Sequence, residues 1–406
     1  MIRKIIITLV VAAMLGWRLY LSVNAKHGDI YNNISWGRMA YKLESLAGFY
    51  ELPKEVWSHS RPNQPPGSIL LHLSSEYIYN SINQLINWSN DQFKIFPSKL
   101  VWWWELNGEL LSIKIFSILA DFAIALLLYK AGGKGMALIY LVSPPMWYNS
   151  SYWGQTDPIV AALALWSLYL LIRGKLASSS ILFGLSLITK ASWAPLTLFY
   201  LIYFCKNFPK KIYILLFIPV VSILIALPFH PQTDIVFWLY NLFMNRILPG
   251  ETALATVGAL NLHQLIWGQM VNHWFSGVLA VIILVPLTIY SSINLIRKTT
   301  AVSVIYWSCL LFWAFFLFNT KMHERYLYPV FPLLSYLLIL KPNLKLLIIY
   351  LLASLIFLFN MYYMWYAPTI PWLIGLYTPG VLNFVSLVNI ILFLALFKLK
   401  STYAKD

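Results

Sequence analysis

Residues 302–329 read VSVIYWSCLLFWAFFLFN followed by TKMHERYLYP, and this junction decides the fold class. The first 18 residues carry no charged side chain, and a run of that length can cross the hydrocarbon core of a bilayer as a helix. The next ten residues bring in Lys321, His323, Glu324 and Arg325. In a chain that is 60% hydrophobic and 11% charged, this pattern predicts membrane-spanning helices with a polar cluster at a membrane surface.

Continuous apolar runs recur along the whole chain of 406 residues. Backbone polar groups must be paired inside lipid, so these runs are predicted to be helices, whereas a β-barrel would show alternating apolar residues. We predict an all-α, polytopic transmembrane helical bundle of about 12 (11–13) spans that forms a single domain over residues 1–406. The predicted spans are residues 5–23, 111–129, 135–149, 157–172, 177–189, 193–205, 212–229, 275–296, 302–319, 327–340, 345–366 and 381–397.

The charged residues indicate how the spans are oriented. Basic residues recur in alternate gaps between spans, as with Lys206, Lys210 and Lys211. Twelve of the fourteen carboxylates lie in the other gaps, while Asp406 shares the basic side and Asp121 lies inside a span. The positive-inside rule then predicts a multi-pass protein of the cell membrane with both termini in the cytoplasm. The net charge of +15 is explained by this topology, so no nucleic-acid partner is predicted.

The N-terminal stretch has two interpretations. A basic start and a small residue at Ala25 are typical of a signal peptide. The long apolar run favours an uncleaved first helix, because cleavage would leave the second span without its partner. Cys205 and Cys309 both fall in predicted spans, which predicts neither a disulfide framework nor a zinc site.

Two long segments, residues 25–110 and 230–274, are predicted on the outer face. The first contains a candidate amphipathic helix at residues 68–88, with Ile69 and Tyr77 on an apolar face that is predicted to lie in the membrane interface. The cytoplasmic gaps are only a few residues each. A functional site is therefore predicted on the periplasmic or extracellular side, where there is enough chain to build one.

Polar side chains are concentrated in five stretches predicted on the outer face, namely residues 27–41, 57–68, 149–158, 188–195 and 318–329. Residues 259–268 add another. The candidate residues are Asp29, Arg61, Gln155, Asp157, Lys190, Asn261, His323, Glu324, Arg325 and Tyr326. Four of them also have a structural interpretation: Asp157 is suited to capping a helix, Lys190 and Arg325 to marking helix ends, and Glu324 to a surface ion pair. Asp121 is predicted to hydrogen-bond within the bundle.

Taken together, these residues favour a functional pocket. Cations and carboxylates recur at one depth on one face, which suits a substrate that is anionic and embedded in lipid. Arg and Lys side chains can hold a phosphate, and a carboxylate can take a proton from an attacking hydroxyl.

Six stretches carry a resemblance to a known family. They are NQPPGSILL (63–71), KIFSILADFAIALLLY (114–129), WGQTDP (153–158), LITKASWAPL (187–196), GALNLHQLIWG (258–268) and KMHERYLYPVFPLL (321–334). In this order they resemble motifs of bacterial and archaeal GT-C glycosyltransferases related to the second mannosyltransferase of GPI-anchor synthesis. The matches span most of residues 25–335. One departure is Ala191, which stands where the family has a proline.

The resemblance implies an inverting transfer of a hexose from a polyprenyl-phosphate sugar to a glycan or lipid-linked acceptor. It implies that Asp29 is the catalytic base. For such a reaction, we expect Lys190, His323 and Arg325 to bind the donor phosphate. Sugar and acceptor binding would then fall to Arg61, Gln155, Asp157 and Asn261, with Glu324 and Tyr326 as orienting residues.

The cofactor prediction follows from a departure at the first outer segment. Many relatives have paired acidic residues there, whereas His27 and Gly28 precede Asp29 in this chain. No metal ligands are therefore predicted, and a divalent metal, Mg or Mn, stays open as a cofactor.

Three other classes of protein stay open. A transporter or flippase of lipid-linked saccharides would share the helices and aromatic residues, but it would need polar groups along a path between both faces. A glycan ligase or protein glycosyltransferase would use a preassembled glycan or a protein acceptor. A non-catalytic scaffold is the third alternative.

Overall fold

The computed structural model describes residues 2–249, 253–268 and 274–403, and nearly all of the regular secondary structure in these parts of the chain is helical. Residues 250–252 and 269–273 of the predicted outer segment, together with Lys405 and Asp406, lie outside the described residues. The α-helices are α1 (Ile2–Val23), α2 (Gly28–Lys42), α3 (Pro66–Phe93), α4 (Ser98–Lys130), α5 (Lys134–Val142), α6 (Pro144–Trp147), α7 (Asp157–Ile172), α8 (Leu176–Thr189), α9 (Leu196–Asn207), α10 (Phe217–Ala226), α11 (Ile235–Leu242), α12 (Leu262–Trp267), α13 (Trp274–Arg297), α14 (Ala301–Phe318), α15 (Val330–Leu340), α16 (Leu344–Trp365), α17 (Pro371–Ile374), α18 (Pro379–Lys398) and α19 (Lys400–Tyr403).

Shorter elements connect these helices. The 3-10 segments are Phe49–Glu51, Lys54–Val56, Ala191–Trp193, Pro209–Leu216 and Glu324–Leu327, and the π-helical segments are Tyr148–Trp153 and Phe243–Ile247. Within the described residues, the regular strands are β1 (Thr256–Val257) and β2 (Met322–His323).

The predicted all-α class is confirmed, and every predicted span coincides with helical structure. Within the described residues, seven helical segments are long and apolar enough to cross a membrane, and these indicate a membrane protein. They are α1 from Ile5, α4, Pro209–Ala226, α13, α14, α16 and α18. Helices α7 and α8 are apolar but shorter, at 16 and 14 residues. The total of about 12 spans stays a prediction.

Two predicted spans differ most from the observed helices in their boundaries. The span predicted at 111–129 belongs to α4, which begins at Ser98 and runs for 33 residues. The predicted outer segment 25–110 therefore includes the first turns of α4. The span predicted at 135–149 is interrupted at Ser143, because the two prolines that follow favour an extended residue before them.

Helix α14 lies at the centre of the bundle, with 83% of its span buried. It is apolar on all sides, as expected of a helix surrounded by protein, and it packs against α9, α13, α15 and α18. By contrast, only 17% of the α1 span is buried. The exposed apolar side chains of α1, such as Ile5 and Leu9, suit a surface that faces lipid.

Helix α3 contains the amphipathic helix predicted at 68–88. Its buried face includes polar as well as apolar side chains. Ile69 and His72 are buried, whereas Tyr77 is 54% exposed. The polar His72 is tolerated inside because its Nε2 lies 3.0 Å from the side-chain oxygen of Gln64. Packing of α3 against α2 and α4 accounts for the buried side chains. The placement of the apolar face in the membrane interface stays a prediction.

The two short strands attach residues 322–323 to a buried loop. They pair in parallel, with Val257 opposite His323. Asn360 on α16 fixes this loop by donating a hydrogen bond to the Gly258 carbonyl and accepting one from the Leu260 N–H at 3.0 Å. The backbone beside His323 is thus held by the packed core.

Candidate active site

Four separate parts of the chain meet in one cluster of polar side chains. They are the start of α2, the turn before α7, the turn after α8 and the segment between α14 and α15. The members of this charged cluster are Asp29, Gln155, Asp157, Lys190, His323, Glu324, Arg325 and Tyr326. Eight of the ten residues proposed from the sequence therefore lie together.

Asp29 lies in the first turn of α2, where His27 is the N-cap residue. Gln155 Nε2 donates to Asp29 Oδ2 at 2.6 Å, and Arg325 Nη2 lies 3.7 Å from the same oxygen. His27 Nδ1 accepts the Asp29 backbone N–H at 3.1 Å, so its contact with Oδ2 at 3.5 Å is not an ion pair. With 34% of its side chain exposed, Asp29 stays accessible to a ligand.

The protonation state of Asp29 follows from these neighbours. Burial alone would raise the pKa of the carboxyl, but the Arg325 guanidinium and the hydrogen bond from Gln155 help to hold the pKa below the usual value of an aspartate. Asp29 is therefore a carboxylate at neutral pH. It has the charge state that a proton acceptor needs.

Asp157 begins α7 and forms an ion pair with Lys190, which follows the last turn of α8. Lys190 Nζ donates to Asp157 Oδ1 at 2.9 Å, and the two side chains are 16% and 3% exposed, respectively. Burial lowers the pKa of Lys190, and Asp157 opposes that effect. Asp157 makes no side-chain capping bond, and its Oδ2 is buried without a hydrogen-bond partner within the described residues.

Glu324 and Arg325 form the second ion pair of the cluster. Arg325 Nη1 donates to Glu324 Oε1 at 2.7 Å, and Glu324 is almost fully buried. Burial raises the pKa of the Glu324 carboxyl, although Arg325 opposes that shift. The guanidinium thus lies between two carboxyl groups, Glu324 and Asp29, while its Nε is buried with no hydrogen-bond partner in the described part of the chain.

His323 differs from the role predicted for it as a phosphate-binding cation. Burial, reinforced by the nearby Arg325 charge, lowers the pKa of His323 to about 3. The side chain is therefore neutral at pH 7 and contributes hydrogen-bonding capacity, not charge. Tyr326 lies between the two basic side chains, with Lys190 Nζ and Arg325 Cζ each 5.6 Å from its ring centroid.

Aromatic side chains form one wall of the cluster. The rings of Trp153 and Trp365 lie 5.7 Å apart, and His27 lies 4.6 Å from Trp153. Arg325 Cζ is 5.8 Å from the Trp153 ring centroid. These rings shield the cations from water on this side, which strengthens their interaction with an anion.

Lys114 on α4 is a residue that the sequence reasoning missed. It is fully buried, and its Nζ donates to the Ala25 carbonyl at 2.8 Å and to the Tyr152 carbonyl at 2.7 Å. These carbonyls lie just before Asp29 and Gln155 in the chain, so one ammonium group joins the two segments that carry them. A lysine inside a predicted span was itself the signal that could have identified it.

Asp121 hydrogen-bonds within the bundle, as predicted. Its Oδ2 accepts from Ser150 at 2.6 Å, and the hydroxyls of Tyr140 and Tyr328 lie 3.1 and 2.9 Å from Oδ1. The sequence did not identify its ionic partner, Arg18, whose Nη2 is 3.3 Å from Oδ2. Both charged side chains are fully buried.

Arg61 and Asn261 are not brought into the cluster. Arg61 is exposed and donates to the Leu52 carbonyl at 3.1 Å. Asn261 is fully buried, with Nδ2 donating to the Phe316 carbonyl and Oδ1 accepting the Gln264 N–H. Asn261 therefore caps α12 and ties it to α14, and both of its polar atoms are already engaged.

The described residues contain no preformed metal-binding site. No group of three or more His, Cys, Asp and Glu side chains is placed there to hold a metal ion. The geometry of these residues therefore offers no candidate ligands for the divalent metal that the sequence left open.

Comparison with known proteins adds no family assignment. No protein-family model matches the chain, and no curated protein shows a significant match to it.

Proposed function

We propose that this chain is a membrane-embedded inverting glycosyltransferase that uses a polyprenyl-phosphate sugar as donor and a hydroxyl of a glycan or lipid-linked molecule as acceptor. One observation carries the proposal. An ionised, accessible Asp29 lies beside a pair of largely buried cations, Arg325 and Lys190, each already held by a carboxylate. A base next to a fixed positive site suits a reaction that removes a proton and releases a phosphate.

In the proposed reaction, Asp29 accepts the proton of the acceptor hydroxyl. The hydroxyl oxygen forms a bond to the anomeric carbon on the face opposite the phosphate. The bond between that carbon and the phosphate oxygen breaks, and its electron pair leaves with the lipid monophosphate. Gln155 fixes the Asp29 carboxylate through the 2.6 Å hydrogen bond, which keeps one oxygen oriented while the other is available for the proton.

The leaving phosphate gains negative charge, which Arg325 and Lys190 would stabilise. Arg325 Nε and Asp157 Oδ2 are buried atoms without hydrogen-bond partners among the described residues, and a bound substrate would satisfy such atoms. Neutral His323 would add a hydrogen bond, with its backbone positioned by the β1–β2 pairing. Glu324 would orient Arg325 and not act as a second base, because its carboxyl is buried beneath the guanidinium.

The proposal includes the predicted topology, with both termini in the cytoplasm and the cluster on the outer face of the membrane. It also retains the resemblance to GT-C mannosyltransferases as its reason for a polyprenyl-phosphate hexose donor. Both carboxylate oxygens of the buried Asp121 are engaged by protein side chains.

The test is transfer of a hexose by the purified full-length protein in nanodiscs. Synthetic polyprenyl-phosphate mannose and polyprenyl-phosphate glucose are supplied with a panel of glycan and lipid-linked acceptors, and products are identified by mass. Asp29→Asn should lower kcat by about 10²–10⁴-fold, the usual contribution of a general base. Glu44→Gln, a change at an exposed carboxylate in the same part of the chain, should leave kcat unchanged.

Full activity of Asp29→Asn would eliminate Asp29 as the base. Movement of the donor lipid across the bilayer without formation of a glycosidic bond would contradict the proposed transferase activity and indicate a transporter. Addition of a whole preassembled glycan would identify a ligase instead.

A further inference from the structure

A cavity lies against a face of α2 adjoining the one that carries Asp29. It has a volume of about 520 Å³ and lies between α2, the first turns of α4 and residues 56–59. We call it the α2–α4 groove. Its α2 residues extend from Ile30 to Lys42 along one helical face, which makes the groove about 18 Å long at 1.5 Å per residue. That shape suits an elongated ligand.

An aromatic pair lines one end of the groove. The rings of Tyr31 and His59 stack with their centroids 5.6 Å apart and their planes only 4° from parallel. Tyr31 is 44% exposed, so part of its ring is available to a ligand. A flat aromatic surface of this kind offers apolar contact together with a hydroxyl group at its edge.

Hydroxyl and charged groups line the rest of the groove. The Ser35 and Ser58 hydroxyl oxygens lie 2.9 Å apart on its lining. Arg38 makes a bidentate ion pair with Glu109, with distances of 2.5 and 2.6 Å, and so joins α2 to α4. These groups supply hydrogen-bond donors and acceptors side by side.

The charges of the groove identify the class of ligand. Three cations, Lys26, Arg38 and Lys42, face two carboxylates, Glu105 and Glu109. Arg38 and Glu109 neutralise each other. The near balance of the remaining charges and the mixture of donors and acceptors suit a neutral polyhydroxyl ligand. An aromatic surface with surrounding hydrogen-bonding groups matches a sugar ring, which has apolar C–H faces and a rim of hydroxyls.

We propose that the α2–α4 groove binds a neutral oligosaccharide, namely the sugars of the acceptor that lie beyond the hydroxyl to be modified. This inference rests on the proposed function for its biological meaning. Ile30 and Tyr31, at one end of the groove, directly follow Asp29 in α2. A glycan chain that lies along the groove would therefore end within about one helical turn of the carboxylate. The acceptor would be a glycan of several sugars and not a bare lipid.

The test measures binding without catalysis, using the full-length protein in nanodiscs with no donor. The probes are uncharged tetrasaccharides of mannose, glucose, galactose and N-acetylglucosamine, followed by saturation-transfer NMR. At least one tetrasaccharide should bind with saturation transfer to its ring protons. Tyr31→Ala should weaken that binding about tenfold or more, because it removes the exposed face of the aromatic pair. Glu105→Gln should weaken it by a smaller factor.

Tyr240→Ala is the matched control, since Tyr240 is a 60% exposed tyrosine on α11, outside the groove. It should leave binding unchanged. The proposal is overturned if no tetrasaccharide binds, if Tyr31→Ala and Tyr240→Ala bind equally well, or if inorganic phosphate or a short polyprenyl phosphate displaces the sugar from the groove.

The result of this binding test can be distinguished from the result of the hexose-transfer test. Asp29→Asn should retain oligosaccharide binding while losing transfer. Loss of glycan binding with transfer intact would refute the groove alone, and glycan binding without any hexose transfer would refute the enzyme alone.

Discussion

Asp29 sets the lower pH limit expected for the proposed activity. Its pKa is lowered from the usual value of an aspartate, so the carboxylate predominates at mildly acidic and neutral pH and is lost only as pH falls through the lowered pKa. His323, with a pKa of about 3, is neutral over the same range. On the alkaline side, Lys190 is expected to lose its charge before Arg325, because burial lowers the Lys190 pKa.

We therefore expect kcat/KM for hexose transfer to be flat from about pH 5 to about pH 8. The measurement is a pH–rate profile of the wild-type protein and of His323→Asn under subsaturating donor. The two profiles should have the same shape. An inflection near pH 6.5 that disappears in His323→Asn would show instead that His323 acts as a titrating group.

Helix α4 contributes to the site through one side chain, Lys114. Its ammonium holds the Ala25 and Tyr152 carbonyls, and thereby sets the separation between the segment before α2 and the π-helical segment Tyr148–Trp153. Gly154 packs directly on the lysine stem, since an added Cβ there would lie 2.8 Å from Lys114 Cε. The hydrogen bond between Asp29 and Gln155 depends on this spacing.

Lys114→Met should lower kcat for transfer by about 10²-fold with little change in KM, because displacement of the base by about 1 Å is enough to lose alignment. Thermal unfolding should also shift, since each buried carbonyl left unpaired costs about 1–3 kcal/mol. Lys99→Met, at an exposed position of the same helix, is the control and should change neither quantity. An unchanged kcat in a folded Lys114→Met protein would contradict the positioning role.

In the molecule as a whole, a buried ion pair joins the peripheral α1 to the rest of the bundle. Arg18 and Asp121 are both fully buried, and Asp121 also accepts from residues before α7 and α15. Removal of one partner from such a pair leaves an uncompensated buried charge, which typically costs about 3–5 kcal/mol. The pair is therefore expected to be important for stability even though it lies outside the charged cluster.

Asp121→Asn should lower the thermal unfolding temperature more than the double variant Arg18→Met/Asp121→Asn does, because the second change removes the unpaired charge. The measurement is thermal unfolding in detergent for both single variants and the double variant. Additive losses in the double variant would indicate that the two side chains do not act as a pair.

Much of the fold could be predicted from the sequence because helix formation in lipid is local. Backbone groups pair within each helix, so the length of an apolar run is enough to locate it, as for α14 and α18. The predicted helix boundaries were wrong where prolines, and not the length of the apolar run, set the end of a helix. The helical start of α4 is set by Pro97 and not by the end of an apolar run, and the paired prolines after Ser143 divide the third predicted span.

Most residues of the candidate site could be predicted from the sequence, but the contacts between them could not. Short polar stretches beside apolar runs identified Asp29, Asp157 and Arg325, because ionisable groups are scarce in such a chain. The same reasoning included Asn261, which turned out to be a buried helix cap, since an asparagine looks the same in sequence whether its partner is backbone or ligand.

The sequence by itself determined the helical class, the positions of the apolar helices and the stretches rich in ionisable residues, since these depend on residues close together in the chain. The tertiary structure alone decided which side chains meet. Gln155 reaches Asp29 across 126 residues, and Lys114 reaches the Ala25 carbonyl across 89. Such contacts, and the α2–α4 groove, depend on how helices pack against each other, and the local periodicity that predicts each helix does not specify that packing.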